Sequence, residues 1–299
     1  MATTHSAALF HKSILHWYVH HQRHLPWRRT HNPYRILLSE IMAQQTQVSR
    51  VAEYYRRWVK IFPTFSSLAN ATTGDVLREW SGLGYNSRAL RFHQLAKIVS
   101  TEFHSRLPNN PDDLQKLPGI GRYTAHAVAC FAFEQHVPVV DVNIKRILTR
   151  WSKKVTSSLE QVNDDRAWYL AEKFLPPKRA YSWNQSLMDF GALVCTARNP
   201  GCDKCPVSLY CASAFSKSFL QKEKKKVKIE PVWRGIPRRL YRGKILKLLH
   251  YHSCTAETVA ALLWSNHTQS DISWTALLME KMKMDGLLSF HKGKYSIVQ

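Results

Sequence analysis

From about Ala7 to Val128 the apolar residues recur three and four positions apart, and strand-like alternation is nearly absent. That spacing lays one apolar stripe along a helix, so the stretch reads as a succession of short helices. Leu25-Pro26, Asn32-Pro33, Phe62-Pro63, Gly82-Leu83-Gly84 and Leu107-Pro108 divide it, since proline removes a helical donor and glycine turns freely. Helical spacing continues over Asn143 to Arg150, Asp165 to Phe174 and Trp183 to Val194. The body up to Cys211 is therefore expected to be all α, with no internal repeat.

The pattern changes at Phe219. Lys222, Lys224, Lys225, Lys226 and Lys228 lie together, followed by Pro231 and Pro237, which suggests a basic extended linker over 218–239. It reads first as a solvated tether and second as a contact for an anionic backbone. Beyond it, Gly243 to His250, Thr255 to Trp264 and Trp274 to Asp285 read as helices. Gly286 to Phe290, a turn at His291 to Gly293, and Lys294 to Val298 read as a hairpin. This order resembles a winged helix over 240–299, a module that binds DNA or other proteins.

Composition narrows the function. The chain has 299 residues, 44% of them hydrophobic, and a formal charge of +22. It is long enough for two or three folded units. Excess lysine and arginine spread along most of the chain favours a polyanion, bound by counterion release. Solubility alone is better served by acids, and no basic amphipathic helix suggests a membrane surface. No run of about eighteen apolar residues and no secretory head is present, so a soluble intracellular protein is expected, cytoplasmic and nucleoid-associated in a bacterium.

Three local features carry chemistry. Cys195, Cys202, Cys205 and Cys211 follow the spacing C-x6-C-x2-C-x5-C, which suits a soft metal centre; by spacing alone, structural zinc and an iron-sulfur cluster both remain open. Leu117-Pro118-Gly119-Ile120-Gly121 precedes a helix near Tyr123. Its glycines permit a tight turn and its helix start can bind a phosphate, although such a turn is also ordinary punctuation. Asp141, just before another helix, is a natural N-cap and could also stabilise a cationic sugar. Glu40 sits in the apolar run Ile36 to Met42; it is a surface acid or, facing a pocket, a desolvated carboxyl able to hold a proton at neutral pH.

In order, "LPGIGRYTAHA", "VVDVNIKRIL" and "CTARNPGCDKCPVSLYC" resemble the helix-hairpin-helix DNA glycosylases of the endonuclease III superfamily. With "LPWRRTHNPYRILLSEIMAQQTQV" and "NQSLMDFGALVC", residues 8–215 resemble its adenine DNA glycosylase (MutY) branch. The resemblance implies a mainly α, two-lobed fold, with a cluster-bearing lobe (1–28 and 135–217) and a six-helix barrel lobe carrying the hairpin (29–134). A [4Fe-4S] cluster on the four cysteines is then implied, structural and DNA-contacting rather than catalytic.

The same resemblance implies that Glu40 protonates a flipped adenine, that Asp141 stabilises the oxocarbenium-like sugar, and that Asn143 assists near it. Bifunctional relatives place a lysine at the position of Tyr123 and form a Schiff base; a phenol cannot, which implies a monofunctional enzyme. Trp27, Arg28 and Gln185 resemble pocket residues for the extruded base, although a tryptophan is more often core.

Gln44, Gln45 and Thr46 resemble the adenine branch, whereas thymine and uracil mismatch relatives share Glu40, Tyr123 and Asp141 but tend to carry arginines there. Two departures stand out. Asn86, after Tyr85, replaces a second tyrosine that wedges beside damaged guanine, and the winged-helix-like segment replaces the domain that reads 8-oxoguanine. Selectivity for adenine opposite oxidised guanine over adenine opposite normal guanine is therefore expected to be weakened or achieved differently. The expected partner of this monomer is double-stranded DNA with a mismatch or oxidised guanine. Competing readings are a thymine or uracil glycosylase acting opposite guanine, and a non-catalytic DNA-binding regulator.

Overall fold

The computed structural model describes residues 4–157, 160–220, 230–250 and 252–298. In chain order its helices are α1 (Thr4–His21), α2 (Pro33–Ala43), α3 (Val48–Ile61), α4 (Phe65–Ala69), α5 (Thr73–Trp80), α6 (Ser87–Glu102), α7 (Pro111–Gln115), α8 (Arg122–Ala132), α9 (Val142–Ser152), α10 (Asp164–Lys173), α11 (Ala180–Leu193), α12 (Arg238–Leu248), α13 (Ala256–Leu263) and α14 (Gln269–Met284). Its strands are β1 (Val232–Trp233), β2 (Ile236–Pro237), β3 (Leu288–His291) and β4 (Lys294–Ile297). The mainly α expectation holds. The chain divides into two compact units, Met1–Ile36 with Asn109–Lys116 and Ile120–Lys226, and Leu37–Pro108 with Leu117–Gly119 and Val227–Gln299.

In the first unit, helical spacing aims apolar side chains at one core. Phe10, Ile14 and Trp17 of α1 meet Ile144, Ile147, Leu148 and Trp151 of α9 and Trp183, Leu187 and Phe190 of α11. Phe10 stacks on Trp151 with ring centroids 4.2 Å apart and meets Trp183 edge-on at 5.7 Å. Each such large side chain removed from water stabilises the fold by about 2–3 kcal/mol. Side chains start the helices: Asn163 accepts from the Arg166 amide at 2.9 Å at the head of α10, and Asn110 from Asp112 at 2.7 Å at the head of α7.

In the second unit Trp58 of α3 packs edge-on against Trp80 of α5 at 5.4 Å, with Phe92, Leu95, Ala96 and Val99 of α6 fully buried beside them. The C-terminal segment runs α12, α13, α14 and then the β3–β4 hairpin, the order read from the sequence. Leu288 pairs with Ile297 and His291 with Lys294. The turn is thus Lys292-Gly293, both left-handed (φ 48° and 77°), a two-residue hairpin that matches strand twist. His291, placed by sequence in the turn, closes the strand instead.

Other boundaries differ as well, α12 starting at Arg238 rather than Gly243 and α11 at Ala180 rather than Trp183. The third C-terminal helix begins at Gln269, not Trp274, because Thr268 and Asp271 form a reciprocal capping box. The segment read as an extended linker holds structure near its end: Val232 pairs with Pro237 and Trp233 with Ile236 around Arg234-Gly235. Buried Asp271 holds this ribbon, accepting from Trp233 Nε1 at 2.8 Å and from Arg234 Nη2 at 2.7 Å. The lysine run 222–228 lies outside the described residues.

Candidate active site

Asp141 caps α9 in the first unit, its Oδ1 accepting from the Ile144 amide at 2.6 Å and its Oδ2 from Asn143 Nδ2 at 2.7 Å. Burial pushes this carboxyl above the ordinary aspartate range, against the lowering effect of those donors and of the Arg146 charge. Asn143 Oδ1 in turn accepts from Arg146 Nη2 at 2.8 Å, and Arg146 Nη2 also donates to the Gly191 carbonyl at 2.6 Å. Asp141 and Asn143 therefore form one fixed pair, held between α9 and α11. A Cβ added to Gly191 would lie 2.6 Å from that of Asn143, so only glycine allows this approach.

Trp27 and Gln185 are buried in the same unit, and Tyr123 is half-buried in the first turn of α8. Gly121 is the N-cap of that helix, with extended backbone. Arg28, read from sequence as a pocket residue, is paired with a buried acid of α11. Its Nη1 and Nη2 grip Asp189 at 2.6 and 2.7 Å, and Arg23 Nε joins at 2.7 Å. Asp189 is 0% exposed. Burial pushes its carboxyl up, but the hydrogen bonds and charges of Arg28 and Arg23 together bring it below the usual carboxylate range. Such a fork is a built ion pair that holds the donor edge of the Arg28 guanidinium against Asp189.

In the second unit Glu40 occupies the last turn of α2 and is 8% exposed. Gln44, Gln45 and Thr46 follow directly. Gln45 is left-handed (φ 56°), as is Tyr85 (φ 50°), a conformation that costs a non-glycine residue about 1–2 kcal/mol. Tyr85 is 60% exposed; Asn86 starts α6 without capping it through its side chain. Gly119 (φ 82°) lets the hairpin turn close to Arg91, whose Cβ would be 3.2 Å from an added Cβ.

The cysteine loop leaves α11 at Cys195 and returns along α9. All four sulfur-bearing residues are half-buried and line one apolar cavity with Phe10, Ile147 and Val207. Burial pushes the thiols of Cys205 and Cys211 up to about 12 and about 11, so an apolar box of this kind holds thiolates only around a cation. Arg150 Nη1 donates to Cys195 Sγ at 3.5 Å. Among the described residues no three or more histidine, cysteine or acidic side chains are grouped to hold a metal ion. The all-sulfur donor set around one cavity nevertheless fits a soft centre.

Residues 38–170 match the HhH-GPD superfamily of base excision DNA repair proteins. The chain is also 39% identical over 275 residues to the adenine DNA glycosylase of Mycolicibacterium smegmatis, a match covering 89% of this chain and 90% of that protein. The chain belongs to the HhH-GPD superfamily, in its adenine DNA glycosylase branch. An adenine DNA glycosylase of Buchnera aphidicola is 37% identical over 226 residues, covering 74% of this chain and 65% of that one, so the chain spans a little under two thirds of its length. A solved thermostable thymine-DNA glycosylase has a TM-score of 0.65 at 31% identity, covering 71% of this chain and 98% of that one. A match over 89% of the chain necessarily runs past Arg238, so the Mycolicibacterium relative shares part of the C-terminal segment of this HhH-GPD member.

Sequence reasoning missed Arg23, Arg88, Arg146 and Asp189. Asp189 carried the same signal that singled out Glu40, an acid in an apolar helix, in "NQSLMDFGALVC". Arg88, 7% exposed, stands at helical spacing from buried Phe92 and Leu95 in "SRALRFHQL". A charged residue on the apolar stripe of its helix announces a buried partner.

Proposed function

We propose that this protein is a monofunctional DNA glycosylase of base excision repair that hydrolyses the N-glycosidic bond of adenine mispaired with 8-oxoguanine or guanine in duplex DNA. The observation that carries this reading is the 39% identity with an adenine DNA glycosylase across 90% of that protein. Buried Glu40 and fixed Asp141 supply the two carboxylates that the chemistry needs.

Glu40 donates a proton to the extruded base, turning adenine into a better leaving group. The bond from C1′ to the base breaks with its electron pair going to the base. Ionised Asp141, oriented by Asn143, stabilises the positive charge left on the sugar. Water then adds its hydroxyl at C1′ and its proton restores the carboxyl of Glu40, so the products are free adenine and an abasic site. Tyr123 has no amine to capture C1′, and strand cleavage does not follow.

Gln44, Gln45 and Thr46 belong to the base-reading segment, with Trp27 and Gln185 as pocket walls; Tyr85 and Asn86 touch the opposed strand. Gly119 and Gly121 shape the turn before α8, whose N-terminus takes a DNA phosphate. Cys195, Cys202, Cys205 and Cys211 would hold a [4Fe-4S] cluster, which when bound would tie the two ends of their loop together. Base release uses none of its chemistry.

The test is single-turnover base release from duplexes with A opposite 8-oxoguanine, G or C, and with T or U opposite G. Release of adenine, with strand breaks only after hot alkali, is the expected result. Exclusive release of thymine or uracil overturns the assignment in favour of the activity named for the thermostable structural relative. Release of neither, with duplex binding intact, supports a non-catalytic regulator.

A further inference from the structure

Arg88 enters the second unit from the first turn of α6 and is buried. Its Nη1 donates to the carbonyls of Ile41 and Met42 at 2.9 Å each and of Gln44 at 2.5 Å. Its Nη2 donates to Thr46 Oγ1 at 3.1 Å and to the Gly84 carbonyl at 2.9 Å. Its guanidinium carbon lies 5.3 Å from the Trp80 ring centre and 5.4 Å from that of Tyr85.

These acceptors are not scattered. The carbonyls of Ile41 and Met42 belong to the last turn of α2, where helical carbonyls lack intrahelical donors, and Glu40 sits in that turn. Gln44 and Thr46 flank Gln45, and Gly84 precedes Tyr85, so Arg88 grips the chain beside both left-handed residues. Thr46 Oγ1, while accepting from Arg88, donates to the Gln44 carbonyl at 3.3 Å, which fixes the direction of its proton. One planar group with several forked donors can join three segments in this way; an ammonium cannot.

We propose that Arg88 is a positioning residue for base release, clamping the Glu40 turn, the Gln44–Thr46 segment and the Gly84-Tyr85 loop into one rigid unit. The proposal rests on the adenine-release reading and deepens it. Arg88 meets neither base nor sugar; it acts through Glu40 and Thr46. Loss of its fork leaves the carbonyls at the end of α2 unpaired and frees two strained residues to relax, which displaces the groups that meet the base.

The experiment is single-turnover adenine release from an A opposite 8-oxoguanine duplex by the full-length wild type, Arg88→Lys and Arg88→Ala, fitting rate constant and amplitude separately. Duplex affinity is measured in parallel, and Arg88→Ala is also assayed with methylguanidinium. Positioning predicts a rate constant lowered about a hundredfold in both variants, with amplitude and duplex affinity near wild type for Arg88→Lys. Methylguanidinium should raise the rate constant of Arg88→Ala. A merely structural role lowers the amplitude in proportion to unfolded protein and leaves the rate constant unchanged; that result, or a wild-type rate constant in Arg88→Lys, overturns the proposal. If Arg88→Ala does not fold, Arg88→Lys alone decides. A wild type that releases no adenine overturns the activity reading itself, and this inference with it.

Discussion

Asn143 Nδ2 lies 2.7 Å from Asp141 Oδ2 and donates to it, while Arg146 holds the other end of the asparagine amide. The carboxylate is thus fixed by its own helix. Its cap role and its proposed role beside the sugar do not compete, because Oδ1 takes the Ile144 amide and Oδ2 takes Asn143. A carboxylate with both oxygens engaged and its pKa still raised by burial is an anion held where its charge is costly.

Its pH dependence follows. The folded state holds the Asp141 proton to higher pH than the unfolded chain does, so its contribution to stability is present below the unfolded pKa and lost as pH rises through the folded one. Asp141→Asn removes that loss. Unfolding of wild type and variant measured from pH 3 to 8 should show the variant gaining on the wild type as pH rises, then levelling off. Base release by the variant should be abolished, and the wild-type rate should fall in acid at a pH above the ordinary aspartate value of about 3.9. A variant that loses ground as pH rises contradicts the assignment.

Gly191 tests the same pair from behind. An alanine there drives its Cβ to 2.6 Å from that of Asn143 and 3.2 Å from Ile147 Cδ1. Overpacking of this kind costs about 1–3 kcal/mol. Gly191→Ala should lower Tm and reduce the rate of base release more than it weakens duplex binding. Unchanged Tm and rate would show that α9 and α11 separate freely.

Much of this is legible in the sequence alone. Helical spacing found the all-α body because most of its helices bury one stripe, and the cap at Asp141 was visible as an acid before an apolar run. The start of α14 was missed because its capping box, Thr268 with Asp271, lies in a polar stretch without apolar spacing to announce it. The β1–β2 ribbon was hidden for another reason: it is two residues per strand, shorter than any alternation can reveal, and is held by Asp271 from 37 and 38 residues along the chain. Arg28 shows the limit for sites. Sequence marks it as chemistry-bearing, but only the fold reveals that Asp189 is its partner.

That pairing has a measurable consequence. Removing one member of a buried ion pair leaves the other charge uncompensated, at about 3–5 kcal/mol. Asp189→Ala should destabilise the protein by that order in denaturant unfolding, since two arginines lose their partner. Asp189 is held below the ordinary range, so its stabilisation should also fade as pH drops through the folded pKa. A loss under 1 kcal/mol would mean that water replaces the carboxylate.

The four cysteines make a separate claim. Single replacement of Cys202 or Cys205 by serine should reduce the visible iron-sulfur absorbance and the iron content of purified protein, and lower Tm, because a hard hydroxyl replaces a thiolate in an apolar cavity. Cys130 and Cys254 are the controls: neither lines that cavity, and Cys254→Ser should leave iron content unchanged. Zinc in place of iron in the wild type, by elemental analysis of anaerobically prepared protein, would overturn the cluster assignment.

Tyr123 carries the proposal that base release leaves the strand intact. It is half-buried in the first turn of α8, next to the Gly121 N-cap, where the start of a helix favours anions. That field disfavours the protonated form of an amine placed there. Partial burial acts in the same sense on an amine, favouring its neutral, nucleophilic form. Tyr123→Lys should therefore add strand cleavage to base release, seen on a denaturing gel without alkali and as a borohydride-trapped covalent complex with DNA. The added step should be slower than base release. Trapped complex in the wild type, before any substitution, would show that another amine already attacks C1′ and that the enzyme is not monofunctional.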